Sequence, residues 1–268
     1  MNDLTIQQPV ISKWRVIVYW VVTAIVVLET AVGGEWDLTH NSHVDTVISH
    51  LGYPLFILSI IGFWKVLAVI TLLVPGFGRL KEWAYAGLFF VYSGAALSQF
   101  AVGDFQQSAG PVIFAILALL SWTLRPPSRR TYLEVKTGRG VVNKKWPTSK
   151  KIVCWTALVL LEFSLLSSGA MELVHFSANV DGIVHQLGYP LYFLTIQGFW
   201  KLLACIALAL PGFRVLKEWA YAGVFFNMTG AIASNMFSHL EIGHVLAPLF
   251  MTGICMISWA LRPAWRKM

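Results

Sequence analysis

The stretch LGYPLFILSIIGFWK, from Leu51 to Lys65, returns as LGYPLYFLTIQGFWK from Leu187 to Lys201. The shift is 136 positions, and it continues. Pro75-Gly76-Phe77 falls on Pro211-Gly212-Phe213, and LKEWAYAG from Leu80 falls on the same eight letters from Leu216. Between Leu51 and Phe90, 28 of 40 aligned positions are identical, more than shared hydrophobicity produces. The chain is therefore a tandem duplication. The repeated stretch is a continuous apolar run without alternation, which fits a helix crossing a bilayer and not a strand of a membrane barrel.

Composition extends that reading to the whole chain. Of 268 residues, 57% are hydrophobic and 12% charged, and the mean hydropathy is +0.66. A bilayer core of about 30 Å needs about 20 apolar residues per helix. The sequence predicts eight such helices, giving an all-α polytopic membrane protein of two tandem four-helix bundles. The first copy supplies Arg15–Val32, Tyr53–Val74, Trp83–Val102 and Pro111–Leu124; the second supplies Ile152–Ala170, Tyr189–Leu210, Trp219–Phe237 and Val245–Leu261. The first stretch follows Lys13 and Arg15 as a signal peptide would. It lacks a small-residue cleavage site, and its equivalent in the second copy is internal, so it reads as a retained helix. The expected units are 1–126 and 151–268, joined by a basic linker over 127–150.

Charge sets the orientation. Apart from Lys65 and Lys201, every Lys and Arg lies at the termini, in the linker or in the loops after even-numbered helices. The opposite loops hold Glu35, Asp37, Asp45, Asp104, Glu172, Asp181 and Glu241. By the positive-inside rule both termini are cytoplasmic, in a multi-pass protein of a bacterial-type inner membrane. Each copy has an even number of helices, so the repeats are parallel and not inverted. The pI near 9.4 thus reflects orientation and implies a lipid partner, not nucleic acid. The linker piece TYLEVKTGRG has hairpin character, although a solvated linker also fits. Trp14, Trp36, Trp83, Trp146, Trp219 and Trp265 fall where interfacial anchors belong. Cys154, Cys205 and Cys255 lie in apolar segments without CxxC spacing, as packing residues do.

Lys65 and Lys201 are the sharpest chemical signal. Each stands ten positions before the PGF turn, about 15 Å from the inner helix end and thus near mid-bilayer. A central lysine costs about 2.5–3.5 kcal/mol or more, so it should face the bundle interior and meet an acid. By depth, Glu162 suits Lys201 and Glu29 suits Lys65, although under the shift of 136 the two glutamates are not equivalent. One reading is a structural ion pair beside the Trp64 or Trp200 ring; the other is a polar centre for protons, a quinone or an anionic headgroup. Glu82 and Glu218 open the third and seventh helices at the inner interface, where they complement the positive N-terminus or pair with a neighbouring base.

All seven histidines fall on the outer face. With the carboxylates there they offer zinc-binding or proton-relay chemistry. No pattern of paired histidine and acid recurs under the shift, since His50 aligns with Gln186 and His185 with Ser49. Solvated polar residues are expected there, and no metal. Tyr53 and Tyr189 begin the lysine-bearing helices, with the following proline in the first turn. They are belt residues or, with His50 and His185, an outer-leaflet gate for a quinone.

The pieces LGYP, GFWK, PGF, LKEWAYAG and SW-x-LRP (Ser121 to Pro126, and Ser258 to Pro263) resemble the DoxX-like family of four-helix membrane proteins. The resemblance covers nearly the whole chain, and tandem duplication departs from it. It implies a small membrane subunit linked to quinone-dependent sulfur oxidation or a terminal quinol oxidase, with quinone as the implied cofactor and a redox protein as the implied partner. No haem-attachment CxxCH, iron–sulfur cysteine array or GxGxxG is present, so no covalent cofactor is expected. Three functions stay open: an accessory or quinone-interacting subunit, a small-solute transporter or channel built on the lysines, and a membrane chaperone or scaffold.

Overall fold

A computed structural model describes residues 12–129, 146–263 and 266–267. The segment TYLEVKTGRG and Trp265 lie outside the described residues. The regular structure among the described residues is helical, without strands. The first unit contains α1 (Lys13–Thr39), a short α2 (Ser42–His50), α3 (Phe56–Leu73), α4 (Gly78–Ala101) and α5 (Ala109–Leu124). The second contains α6 (Thr148–Leu173), α7 (Ser177–Asn179) running into π-helical backbone (Val180–Gln186), α8 (Leu191–Ala209), α9 (Arg214–Phe237) and α10 (Ile242–Leu261).

In each unit the four long helices close into a ring. Neighbours are α1–α3, α3–α4, α4–α5 and α5–α1, and in the second unit α6–α8, α8–α9, α9–α10 and α10–α6. The rings join through α4 against α9, flanked symmetrically by α3–α9 and α4–α8, an isologous arrangement with pseudo-twofold character. α1, α3, α6, α8 and α10 are long and apolar enough to cross a membrane. They turn side chains such as Leu28, Phe63, Phe163 and Phe250 outward, as a lipid-facing surface requires. α5 is equally apolar but has 16 residues. α4 and α9 have 24 residues each and are more polar, because they occupy the centre of the assembly.

One end of both units collects the bases. Arg15 at the start of α1 donates to the Thr123 carbonyl near the end of α5. The last carbonyls of α3 receive Lys81 and Arg129, and those of α8 receive Lys217 and Arg266. These cations neutralise the negative ends of both helices and satisfy carbonyls that helix geometry leaves open. The repeated LKEW letters thus encode a helix-end clamp that sequence reading did not assign to Lys81 and Lys217.

Several boundaries differ from expectation. α1 and α6 run seven and three residues beyond the predicted ends, Val32 and Ala170. Glu35, Asp37 and Glu172, expected in outer loops, are therefore helical. α4 and α9 start five residues before Trp83 and Trp219. Thirteen positions separate Gly34 from Val47 in chain order, and within that span the second copy gains one residue: His40 to Leu51 is one position shorter than His175 to Leu187. The extra residue widens the helix after Asn179 into its π-helical form, a usual way for a helix to absorb an insertion.

Candidate functional site

The lysine sites begin with glycines. A Cβ on Gly62 would stand 3.0 Å from the Gly34 carbonyl oxygen, and one on Gly198 would stand 2.7 Å from that of Gly169. Only glycine allows α1 and α3, or α6 and α8, to approach so closely. Lys65 Cβ packs beside Gly34, and its amine reaches Asp37 at 2.7 Å. Lys201 Cβ packs beside Gly169, and its amine donates to Glu172. The side chains are 12% and 6% exposed in the first pair, and 11% and 1% in the second. Both amines are therefore held within the protein against a counter-charge, as the hydrocarbon environment demands.

These partners correct the expected ones. Glu162 does not pair with Lys201; its carbonyl accepts the Cys205 thiol, and its Oε1 is buried without a partner. Glu29 accepts the Tyr92 hydroxyl, which also meets Thr30 at 2.8 Å. Glu29 and the Lys65 amine flank the same notch at Gly33, so Glu29 borders the first pair without being the lysine's partner. Asp37 and Glu172 are 135 positions apart, one fewer than the repeat shift. That offset hid the recurring G-x-x-[DE]-L-x-H of Gly34 to His40 and Gly169 to His175. Comparing the copies with a one-residue gap reveals it, and with it a recurring pair of acid and histidine.

His40 meets Asp45 and Ser59, and His175 meets Thr195 at the position equivalent to Ser59. His50 and His185 lie on the surface near Asp104 and Asp181, at 3.7 and 3.9 Å, and do not join the tyrosines. Among the described residues no three His, Cys, Asp or Glu side chains converge as metal ligands would. Tyr53 and Tyr189 do come together, with ring centroids 6.0 Å apart. They do not begin helices: α3 starts at Phe56 and α8 at Leu191. Each hydroxyl instead bonds a serine of the central helix, Ser98 or Ser234, at 2.8 Å. Burial pushes both phenols above their ordinary pKa, Tyr189 to about 12, so both stay protonated donors.

Trp64 and Trp200 point away from the lysines toward the opposite unit. Trp64 packs on Phe225 and Phe226, and Trp200 packs on Phe89 and Phe90. Of the two roles expected for Glu82 and Glu218, the structure shows the pairing with a base. Each sits five residues into its helix or at an equivalent depth, and neither occupies the first turn. Glu82 binds Arg125 and accepts the indoles of Trp122 and, from the other unit, Trp219. Glu218 binds Arg262 and accepts the indoles of Trp259 and, from the other unit, Trp83. Trp83 and Trp219 are thus cross-unit donors, where sequence reading saw interfacial anchors.

A cavity of about 580 Å³ lies against the pseudo-twofold axis and extends into the second unit. Its walls are aliphatic and aromatic, including Ile57, Phe90, Phe193 and Trp200. Its polar groups are Lys201, Glu172, Gln197, Asn227, Tyr189 and Ser234. Asn227 Nδ2 donates to Gln197 Oε1 at 2.9 Å, and Glu172 Oε2 is buried without a partner. In the first unit the matching positions hold Ile61, Val91 and Tyr92 in place of Gln197, Asn227 and Met228. There the Tyr92–Glu29–Thr30 cluster occupies the bundle interior. The two copies share a frame and differ in what fills it.

No curated protein and no solved structure matches the chain. The DoxX-like family matches it twice, over residues 21–121 and 156–260, and those spans coincide with the two helical rings. The chain belongs to the DoxX-like family, as two family units in tandem.

Proposed function

We propose that this integral membrane protein binds a small amphipathic ring compound of the quinone class in the second-unit cavity, as an accessory subunit of a membrane redox system. The cavity carries the reading. Ligand sites usually enclose about 300–1,000 Å³ with apolar walls and a few placed polar groups, and about 580 Å³ lies well inside that range. Trp200 and the phenylalanines offer faces for a flat ring, and Lys201 offers a charged donor to a ring oxygen. Gln197 and Asn227 add an amide pair to the same wall. A quinone brings two-electron redox chemistry; the residues here bind and orient it, and electron transfer belongs to a partner protein.

On the same reading all eight long helices cross the bilayer. α4 and α9 are about 36 Å long at 1.5 Å per residue, and their polarity is hidden between the units. The units 1–126 and 151–268 then hang from a cytoplasmic linker over 127–150. The basic end faces the cytoplasm of an inner membrane, in accord with the positive-inside rule. The outer end carries the histidines, and Tyr189, packed on Tyr53, lines the cavity.

Trp200 and Trp219 line the cavity, so intrinsic fluorescence tests the reading. A short-tailed quinone titrated into the full chain in lipid nanodiscs should quench saturably. Lys201→Met with Glu172→Gln should weaken binding about tenfold, the size of one charge-assisted hydrogen bond. Lys65→Met with Asp37→Asn should leave it unchanged. Absence of saturable quenching, or equal sensitivity to both pairs, would contradict the assignment.

A further inference from the structure

We infer that the Gln197–Asn227 amide pair selects a headgroup bearing a hydroxyl, which both donates and accepts, over one that only accepts. This rests on the cavity reading above and refines its ligand class. Two carboxamides joined by a single hydrogen bond leave one carbonyl and one amino group open. That holds whichever way each amide is turned, because exchanging oxygen and nitrogen on both merely exchanges their roles. Here the bond runs from Asn227 Nδ2 to Gln197 Oε1, so Gln197 Nε2 remains a donor and Asn227 Oδ1 an acceptor.

Gln197 and Lys201 are four residues apart on α8, hence on one face, and both line the cavity with Asn227 and Glu172. The open Asn227 Oδ1 is an acceptor that seeks a proton donor. A hydroxyl supplies the donor and receives the Gln197 amino group in return. A carbonyl or ether oxygen satisfies the donors alone and strands that acceptor, and in an apolar cavity a stranded polar group is costly. Among quinone-class ligands this favours the hydroquinone form over the quinone.

The amide pair is not a requirement of the fold. The first unit carries Ile61 and Val91 at these positions on the same frame, so placing isoleucine and valine in the second unit repeats a packing the protein already uses.

The test compares nonylphenol with its methyl ether, nonylanisole, which differ by one donor proton and a methyl group. Binding to the full-length protein in nanodiscs is read by tryptophan quenching and by displacement. The wild type should prefer the phenol by about tenfold, one net hydrogen bond. Gln197→Ile with Asn227→Val should bring the ratio close to one while the ether still binds. If both probes bind the wild type equally, or the double variant keeps the preference, the amide pair does not select the headgroup and the cavity reading stands. If neither probe binds saturably, the cavity reading falls and this inference with it.

Discussion

The ring of Phe226 lies against Gly87, and in the mirrored position the ring of Phe90 lies against Gly223. A Cβ on Gly87 would stand 3.1 Å from Phe226 Cε2, and one on Gly223 would stand 2.9 Å from Phe90 Cε2. The reciprocity is that of a symmetric dimer interface within one chain. Gly223→Ala should cost about 1–3 kcal/mol, the usual price of overpacking, and lower the thermal midpoint in detergent. Gly253→Ala, in a helix where a Cβ meets nothing within 4 Å, should leave the midpoint unchanged or raise it. Equal effects at both glycines would show that the interlock is not tight.

Glu82 pairs with Arg125 of its own unit and reaches the other unit through Trp219. Glu82→Gln removes the buried carboxylate charge that holds Arg125, so a loss of about 3–5 kcal/mol is expected. Trp219→Phe removes one neutral donor from a carboxylate that keeps Arg125 and Trp122, and should cost about 1 kcal/mol beyond the ring's lost area. Chemical denaturation of the two variants should therefore rank Glu82→Gln well below Trp219→Phe. The reverse order would place the stabilisation in the indole contact.

Lys65 and Asp37 should be coupled energetically. Lys65→Met alone strands a buried carboxylate and should destabilise by about 3–5 kcal/mol. Adding Asp37→Leu should recover most of that loss, since an apolar pair of similar volume often matches a buried ion pair. Glu29→Gln, which keeps a partner for Tyr92, should couple to Lys65 more weakly than Asp37 does in a double-mutant cycle. Strong coupling to Glu29 with none to Asp37 would reverse the pairing.

The duplication, the helical class and the need of each intramembrane lysine for an acid were legible because they rest on residue identity and apolar run length. Their partners were not. A fixed shift of 136 runs through a segment where one copy has an extra residue, and it sets Asp37 against Leu173 and Glu172 against Trp36. Helix ends were read from the last apolar residue, so both acids were placed in loops that are in fact the outer turns of α1 and α6. Glu82 and Trp219 illustrate a different limit. Each is ordinary for an interface position, and only the docking of one unit on the other brings them together. The cavity was illegible for a related reason, since its walls come from both units and meet only when one docks on the other.

Tyr92 closes in the first unit what Met228 leaves open in the second. Tyr92→Met with Glu29→Ser installs the second unit's residues at matching positions and removes the Tyr92–Glu29–Thr30 cluster. The ligand stoichiometry should rise from one toward two per chain, measured by native mass spectrometry with an alkylphenol. A ratio fixed at one in a folded variant would show that something other than the tyrosine cluster closes the first unit.

The location of the ligand is the most direct test. An alkylphenol carrying a photoreactive group, irradiated with the full chain in nanodiscs and mapped by peptide mass spectrometry, should label α8 and α9 between Leu191 and Phe237, and excess nonylphenol should abolish the label. Saturable labelling confined to α1 or α5, or labelling that excess nonylphenol does not suppress, would contradict binding in the second-unit cavity.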